Sequence, residues 1–238
     1  EERADHFVGI WVNRNAKRKR PNDVLMSWKV FIDELDKKHG HRKATLIMHT
    51  DPNDQEGPNL YHTMEMLNIN ENVFISPQRL EFPEMNILHN ISDFCINIAL
   101  NEGFGLSTLE SMQAGNPIIA LKTGGLTRQV VDHRDGSENG IALDVECRSL
   151  VGSQNVPYIY EDYCTIEKTA EAIMNLYEIG PEKRKVMGEK ARDYAMSEFS
   201  LDKTIDEWDK TLWDMCEKWE NDKSSVYRFI RQKTLGLK

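Results

Sequence analysis

The sequence predicts an α/β fold in which a parallel sheet is covered by helices on both faces. Short apolar runs alternate six times with segments of helical periodicity. The short runs are apolar throughout rather than at every second position, which is typical of strands that are buried on both faces. Glycine-rich turns follow two of the strands, and a helical stretch of different character ends the chain.

The first half of the chain contains four predicted strands with helices between them. The run Phe7–Val12 is the first strand. A helix over 22–39 follows, with Trp28 and Leu35 among the apolar residues of one face and Gly40 at its end. The next elements are a strand at 44–48, a helix at 59–67, a strand at 73–75, a helix at 84–89 and a strand at 94–98. The loop 50–54 is rich in turn formers.

The second half begins with a glycine loop and a helix that Gly115 and Pro117 end. Leu106, Leu109 and Met112 are expected to share one apolar face of this helix. The next elements are a strand at 118–121, a glycine turn at 122–125, a helix at 126–132, a strand at 141–143 and helices at 166–178 and 182–197. Between them, the β-prone segment 156–160 favours a hairpin.

Two regions are predicted from this pattern: a domain over 1–200 and a C-terminal helical extension over 201–238. Apolar residues recur every three or four positions in the extension, at Leu201, Ile205, Trp208, Leu212, Met215 and Trp219. Packing of this helix on its own domain is expected to account for most of the stripe. The segment 226–230 is suited to reach another domain instead.

Bulk properties exclude several classes of partner. The net charge of −9 argues against nucleic acid or a membrane surface, since both are anionic. No apolar run approaches the length of a membrane span. The four cysteines show no metal-ligand spacing, so they predict free thiols in a reducing compartment and a cytoplasmic protein. One segment runs against the acidic trend, because five basic residues lie between Arg14 and Arg20.

The loop 101–105 and the helix after it form the clearest candidate site. Glu102 precedes Gly103 and Gly105, and Glu110 lies within the helix. The amides of a helix N-terminus favour an anion, and each carboxylate can accept hydrogen bonds from sugar hydroxyls. The alternative is an ordinary loop with two solvated glutamates.

The positions of the other loops favour the ligand site. Ligands of parallel sheets bind beyond the carboxyl ends of the strands. The loops at that edge are 13–20, 50–54, 76–79, 101–105 and 122–125. The basic cluster and both glycine turns are therefore expected at the same edge of the sheet. This arrangement suits a ligand that has a phosphate between two sugars.

These residues carry a family resemblance. The run Glu102-Gly103-Phe104-Gly105-Leu106 with Glu110 resembles the E-x7-E motif of retaining glycosyltransferases of the GT-B fold. The run Thr123-Gly124-Gly125-Leu126 resembles the second glycine turn of that family, and Asn13-Arg14-Asn15 through Lys19 resembles its phosphate loop. Roughly residues 7–200 are similar to a family 4 type enzyme, in the same order. The resemblance implies one Rossmann-like half of a GT-B fold, followed here by C-terminal helices.

The resemblance also implies a role for each matching residue. Arg14 and Lys19 would neutralise the donor diphosphate and Glu102 would touch the transferred sugar, which makes these three the expected catalytic residues. Glu110 would bind the ribose. The implied donor-binding residues are Asn13, Arg18, Gln78, Arg79, Gly103, Phe104, Gly105, Leu106, Glu110, Gly124 and Gly125. No metal or other cofactor is expected, because two cations neutralise the phosphates and the chain has no Asp-x-Asp motif.

The sequence departs from the family pattern in two places. Ala99 stands where the family often has serine, and Arg20 stands where a glycine often follows the lysine. Arg18 and Arg20 are therefore both candidates to share the phosphate role. Only the C-terminal, donor-binding half of a GT-B enzyme is recognisable, so the acceptor domain is expected to be absent from this chain.

The implied function is transfer of a sugar from a GDP- or UDP-sugar to a hydroxyl of a glycan, lipid or protein, with retention at the anomeric carbon. This half alone is expected to be inactive. Two alternatives remain open: a module that binds a sugar nucleotide without transferring the sugar, and another GT-B enzyme such as a sugar-nucleotide epimerase or a phosphorylase.

Overall fold

A single parallel sheet forms the centre of the computed structural model, which describes residues 3–234 and the side chains of 3–222. The six strands are β1 (Phe7–Val12), β2 (Ala44–His49), β3 (Val73–Ser76), β4 (Phe94–Asn97), β5 (Ile118–Leu121) and β6 (Gly140–Leu143). They lie in the order β3-β2-β1-β4-β5-β6, and all neighbours run parallel. The predicted Rossmann-like α/β fold is therefore confirmed.

The order of the strands reverses direction between β1 and β4. Gly9 of β1 pairs with Phe94 of β4, and Ile10 pairs with Cys95. The chain thus builds one half of the sheet outward from β1 to β3, returns to the centre, and then builds the other half from β4 to β6. In an open parallel sheet, this reversal creates a crevice between the two loops that leave the central strands.

Helices connect the strands close to where the sequence pattern places them. Their bounds are α1 (Pro21–His39), α2 (Leu60–Leu67), α3 (Phe82–Asn90), α4 (Leu106–Gln113), α5 (Gly124–Val130), α6 (Ile166–Glu178), α7 (Gly180–Glu198) and α8 (Leu201–Thr234). Short 3-10 turns lie at Lys17–Lys19 and Asn70–Asn72. The helix expected at 126–132 starts two residues earlier, because Gly124 and Gly125 already belong to its first turn.

The core is built around α1 and the sheet. Leu25, Trp28, Ile32 and Leu35 of α1 are fully buried, as their spacing predicts. The indole Nε1 of Trp28 donates a hydrogen bond to the carbonyl of Asn72, 2.9 Å away, so the polar end of this large side chain is also satisfied.

An antiparallel hairpin lies between β6 and α6. Its strands are β7 (Cys147–Val151) and β8 (Ile159–Tyr163). The β-prone segment 156–160 overlaps β8, so the predicted hairpin is confirmed for that arm. The arm formed by β7 is absent from the sequence prediction, because Cys147-Arg148-Ser149 carries no apolar signal of a strand.

The chain divides into two compact units, Glu1–Ala195 and Met196–Lys238. The second unit contains α8, whose stripe residues are 53% to 73% exposed. The expected packing of this stripe on the domain stays a prediction. The side chains of the segment 226–230 lie outside the described residues, and the predicted boundary at residue 200 stays a prediction. No helix among residues 3–234 is long and apolar enough to cross a lipid bilayer.

Candidate functional site

The two glycine turns touch each other backbone to backbone at the carboxyl end of the sheet. The amide of Gly125 donates a hydrogen bond to the carbonyl of Glu102 over 2.9 Å. A Cβ atom at Gly125 would lie 2.5 Å from the carbonyl oxygen of Gly103 and 2.6 Å from the Cα of Phe104. The turns after β4 and β5 therefore form one surface, and that contact leaves no room for a side chain at residue 125.

A buried glutamine fixes the first of these turns. Gln129 of α5 donates from Nε2 to the carbonyl of Phe104 (2.7 Å) and to that of Gly105 (3.2 Å). Gly105 has a φ of +92°, which glycine adopts without strain. The helix α4 begins directly after it, and no side chain caps its N-terminus in the described structure. The first amides of α4 therefore remain available to an anion.

Lys19 and Glu102 form an ion pair at the reversal point of the sheet. Lys19 ends the 3-10 turn after β1, and Glu102 lies in the loop after β4. Only 8% of the Lys19 side chain and 13% of the Glu102 side chain are exposed. Burial lowers the pKa of Lys19, while the hydrogen bond that Lys19 donates to Glu102 acts in the opposite direction. The crevice that the topology predicts thus holds one cation and one carboxylate in direct contact.

Arg14 lies on the exposed side of the same loop and is paired with two carboxylates. Its Nε is 2.5 Å from Asp54, and its guanidinium is 3.1 Å from Glu56. The Arg14 guanidinium lowers the pKa of Asp54. Fully buried Asn15 joins the loop after β1 to the loop after β2, because its Nδ2 donates a hydrogen bond to the carbonyl of Pro58 over 2.9 Å.

The two arginines that flank Lys19 have different surroundings. Arg18 is exposed, and its carbonyl accepts a hydrogen bond from the amide of Leu100 (2.8 Å), in the loop after β4. Arg20 is buried: it contacts Asp23 at 2.6 Å and donates to the carbonyl of Cys164 over 2.9 Å. Arg20 therefore joins α1 to Cys164 in this ligand-free structure, and its share in the phosphate role stays a prediction.

Gln78 and Arg79 border a small cavity at the ends of β1, β2 and β3. Its volume is about 380 Å³, and its other polar lining residues are Asn13, Arg14, His49, Thr50, Asp51 and Ser76. Two buried polar atoms, Nδ2 of Asn13 and Oγ1 of Thr50, have no hydrogen-bond partner within the described residues. Such groups are costly unless a ligand or water satisfies them.

The second glutamate of the motif lies in α4. The Glu110 side chain is 45% exposed, and its Oε2 is 3.7 Å from Nε2 of buried His89. Leu109 and Met112 of the same helix are buried, as expected. Leu106 is 68% exposed, because it occupies the open first turn of the helix, beside the glycine loop.

The base of the hairpin is tied to the second glycine turn. Buried Asp162 accepts a hydrogen bond from Thr123 Oγ1 (2.8 Å), and its amide donates to the carbonyl of Leu100 (2.8 Å). The pKa of Asp162 is lowered, chiefly by its hydrogen bond with Arg148. The hairpin therefore begins directly beside the candidate site.

The structure thus brings together Lys19, Glu102, the turn 103–106 and Gly124–Gly125, and it places Arg14, Gln78 and Arg79 around the neighbouring cavity. The sequence prediction missed His49, His89, Gln129 and Asp162. Each acts from an element distant in the chain, so no local motif could have identified it. In the part of the chain that the structure describes, no three His, Cys, Asp or Glu side chains are grouped to hold a metal ion.

The fold and the site together define a Rossmann-like domain that presents cations, carboxylates and a helix N-terminus at one sheet edge. Within this class, the chain belongs to the family described as glycosyl transferases group 1, whose model matches residues 3–146, more than half of the 238 residues.

Several individual proteins are similar to this chain. The N-acetyl-alpha-D-glucosaminyl L-malate synthase of Bacillus anthracis is 22% identical over 214 residues, which are 90% of this chain and 47% of that protein. Among solved structures, Anabaena Alr3699/HepE in complex with UDP-glucose has a TM-score of 0.66 at 18% identity, and the match covers 90% of this chain and 50% of that one.

The C-terminal domain of the group 1 glycosyl transferase LpcC from Francisella tularensis has a TM-score of 0.60 at 18% identity. The match covers 82% of this chain and 87% of that domain. At these identities the solved structures show the fold alone, which is the GT-B type of half-domain. The chain spans about half the length of the N-acetyl-alpha-D-glucosaminyl L-malate synthase and of the solved Alr3699/HepE chain.

Proposed function

We propose that this chain is the donor-binding half of a retaining glycosyltransferase that uses a nucleoside diphosphate sugar. The observation that carries the proposal is the meeting of Lys19, Glu102 and the uncapped N-terminus of α4 at the reversal point of the sheet. A diphosphate is suited to cations and backbone amides, and a sugar is suited to carboxylates that accept from its hydroxyls. Both kinds of group are present within one crevice.

Each part of the donor has a place in this proposal. The diphosphate lies between Lys19, Arg14 and the first amides of α4, and the sugar lies beside Glu102. The ribose contacts Glu110, and the nucleobase enters the 380 Å³ cavity at the ends of β1 to β3. Arg18 supplies a further cation at the entrance. Two structurally similar proteins, the pneumococcal O-GlcNAc transferase GtfA and Anabaena Alr3699/HepE, were solved with UDP and a sugar, which supports a UDP-sugar; a GDP-sugar is the other donor that we propose.

The proposed chemistry is electrostatic stabilisation of the leaving group. Negative charge develops on the diphosphate as its bond to the anomeric carbon breaks. Fixed cations and amides stabilise this charge without reorganisation, which is usually the largest catalytic term. Lys19 is paired with Glu102 in the free protein, so we propose that the donor phosphate takes a share of this cation on binding. No metal ion is required in this scheme.

We propose that the reaction retains the anomeric configuration, because Glu102 and Glu110 resemble the E-x7-E motif of retaining glycosyltransferases. The acceptor half is proposed to lie in the portion of the longer relatives that this chain does not match, since it covers 47% to 50% of their length. This chain is therefore expected to bind the donor without transferring sugar.

A nucleotide panel tests the proposal. Thermal unfolding of the chain is measured with UDP, GDP, ADP and CDP, each with and without EDTA. A ligand present at a hundred times its Kd adds about 2.7 kcal/mol of stability, which corresponds to a rise in melting temperature of roughly 5–11 °C for a chain of this size. We expect UDP or GDP to produce such a rise, unchanged by EDTA. No response to any of the four nucleotides would contradict the proposal.

Transfer and its stereochemistry need the acceptor half as well. A protein that contains this chain together with an acceptor half is incubated with isotope-labelled sugar nucleotides, and the anomeric configuration of the product is read by NMR. Retained configuration supports the proposed reaction, and inverted configuration contradicts the retaining assignment.

Arg14→Ala is expected to weaken binding of the nucleoside diphosphate by roughly ten- to a hundredfold, because a charge-assisted contact to phosphate is lost. Lys17→Ala is the matched control, since Lys17 is exposed in the same loop and has no assigned contact with the donor. Isothermal titration calorimetry measures both variants. Equal affinity for Arg14→Ala and the unmodified protein would remove Arg14 from the site.

A further inference from the structure

The packing of the fold does not explain why a histidine is buried at position 89. It lies near the end of α3, only 3% exposed, and neither ring nitrogen has a hydrogen-bond partner in the described structure. Its backbone carbonyl accepts a hydrogen bond from Nδ2 of buried Asn116 over 2.7 Å, which fixes the end of the helix. An apolar side chain would fill this space without leaving two ring nitrogens unsatisfied. The imidazole therefore calls for another explanation.

The surroundings of His89 point toward the nucleoside end of the proposed donor site. Its Nε2 is 3.7 Å from Oε2 of Glu110, a carboxylate that is half exposed. His49, which lines the cavity at the ends of β1 to β3, is close enough that His89 contributes to the lowering of its pKa, after burial. Asn116 also reaches Ser111 Oγ (3.3 Å), so α3 and α4 are joined beside this pair.

We propose that His89 is a positioning residue for Glu110. A ring N–H of His89 donates to the Glu110 carboxylate and holds it in the orientation that accepts hydrogen bonds from the ribose hydroxyls. The inference rests on the proposed function, because it takes Glu110 as the ribose-binding residue.

The geometry of the free protein is compatible with this role. A separation of 3.7 Å is longer than a hydrogen bond, so the carboxylate has to move by roughly half an ångström to form one. Contacts of this kind are often long in unliganded sites and shorten when the ligand binds. Because Glu110 is half exposed, such a shift meets little resistance, whereas His89 is held in place by the core around it.

The test compares ribose with deoxyribose. Calorimetry gives the Kd for UDP and for 2′-deoxy-UDP, and likewise for GDP and 2′-deoxy-GDP, with the unmodified chain. A Glu110 carboxylate that binds the ribose should favour the ribonucleotide by about tenfold, the effect of one hydrogen bond to a charged group. Glu110→Gln should reduce this preference to about twofold. His89→Phe, which keeps a flat aromatic ring and removes the N–H groups, should reduce it to between two- and threefold.

Two further variants separate positioning from packing. His89→Gln retains a side-chain N–H and should restore a preference above fivefold. The double variant with His89→Phe and Glu110→Gln should show the same preference as Glu110→Gln alone, since both residues act through one carboxylate. Partial unfolding of His89→Phe lowers the active fraction for both ligands equally, so the ratio of the two Kd values still reports on positioning.

The outcomes distinguish this inference from the proposed function. If Glu110→Gln reduces the ribose preference and His89→Phe does not, the positioning role is overturned and the donor site stands. If Glu110→Gln leaves the preference unchanged, Glu110 does not contact the ribose, and both the assignment and the inference fail. If neither diphosphate binds the unmodified chain, the proposed function itself is overturned, and the inference with it.

Discussion

Replacing Gly125 with alanine is expected to destabilise the protein by about 3 kcal/mol and to abolish measurable nucleotide binding. The new Cβ would lie within 2.6 Å of backbone atoms of Gly103 and Phe104. Backbone atoms cannot rotate away as the end of a side chain can, so the two glycine turns must separate. A loss of this size lowers the melting temperature by roughly 6–12 °C in a chain of this length.

Gly103→Ala provides the matched control for this change. Gly103 lies in the same loop and has no positive φ, and a Cβ there meets no atom within 4 Å. The control should melt within about 2 °C of the unmodified protein, since it loses no contact. Differential scanning calorimetry and UDP or GDP titration of both variants give the comparison. If Gly125→Ala melted like Gly103→Ala and bound nucleotide like the unmodified protein, the contact between the two turns would have no importance for the site.

The second large effect is expected for Lys19→Met. Removing one member of a buried ion pair leaves the other charge unpaired, and the cost is about 3 kcal/mol here because Glu102 keeps some contact with water. The same change removes a proposed diphosphate ligand, so nucleotide affinity should fall by roughly a hundredfold. Urea denaturation measures the first effect and calorimetric titration the second.

Neutralising the partner separates the two roles of Lys19. The double variant with Lys19→Met and Glu102→Gln carries no unpaired charge, so it should recover most of the lost stability. Its nucleotide affinity should remain low, because the cation is still absent. Recovery of both properties would assign Lys19 a purely structural role. Recovery of neither would show that the cost comes from the shape of the lysine stem, and not from its charge.

Much of the fold could be predicted because its signals are local. A six-residue apolar run such as Phe7–Val12 and a helix with Trp28 on its buried face are visible within one window of sequence. The motif around Glu102 could also be recognised in the sequence, since its glycines and carboxylates lie within nine positions of one another. The strand β7 could not be predicted, because its residues have no intrinsic strand preference and pair only with β8.

The details of the site depended on contacts that no window of sequence contains. The pairing of Lys19 with Glu102 joins residues 83 positions apart. In the sequence, Arg20 is adjacent to the proposed phosphate-binding cations. In the structure its backbone is left-handed, with a φ of +54°, and its side chain is buried against Cys164. His89 lies in an ordinary short helix, and its significance arises only from Glu110 on the next one.

The strand order has a consequence for how the protein folds. Strands β1, β2 and β3 are sequence neighbours and can pair while only the first third of the chain has formed, whereas β1 meets β4 after a loop of about eighty residues has closed. Every contact between the loops 13–20 and 98–105 joins the two halves of the sheet, which meet where β1 pairs with β4. Non-local pairings of this kind form slowly. The crevice is therefore expected to assemble late in folding, after the half-sheet that carries its cations.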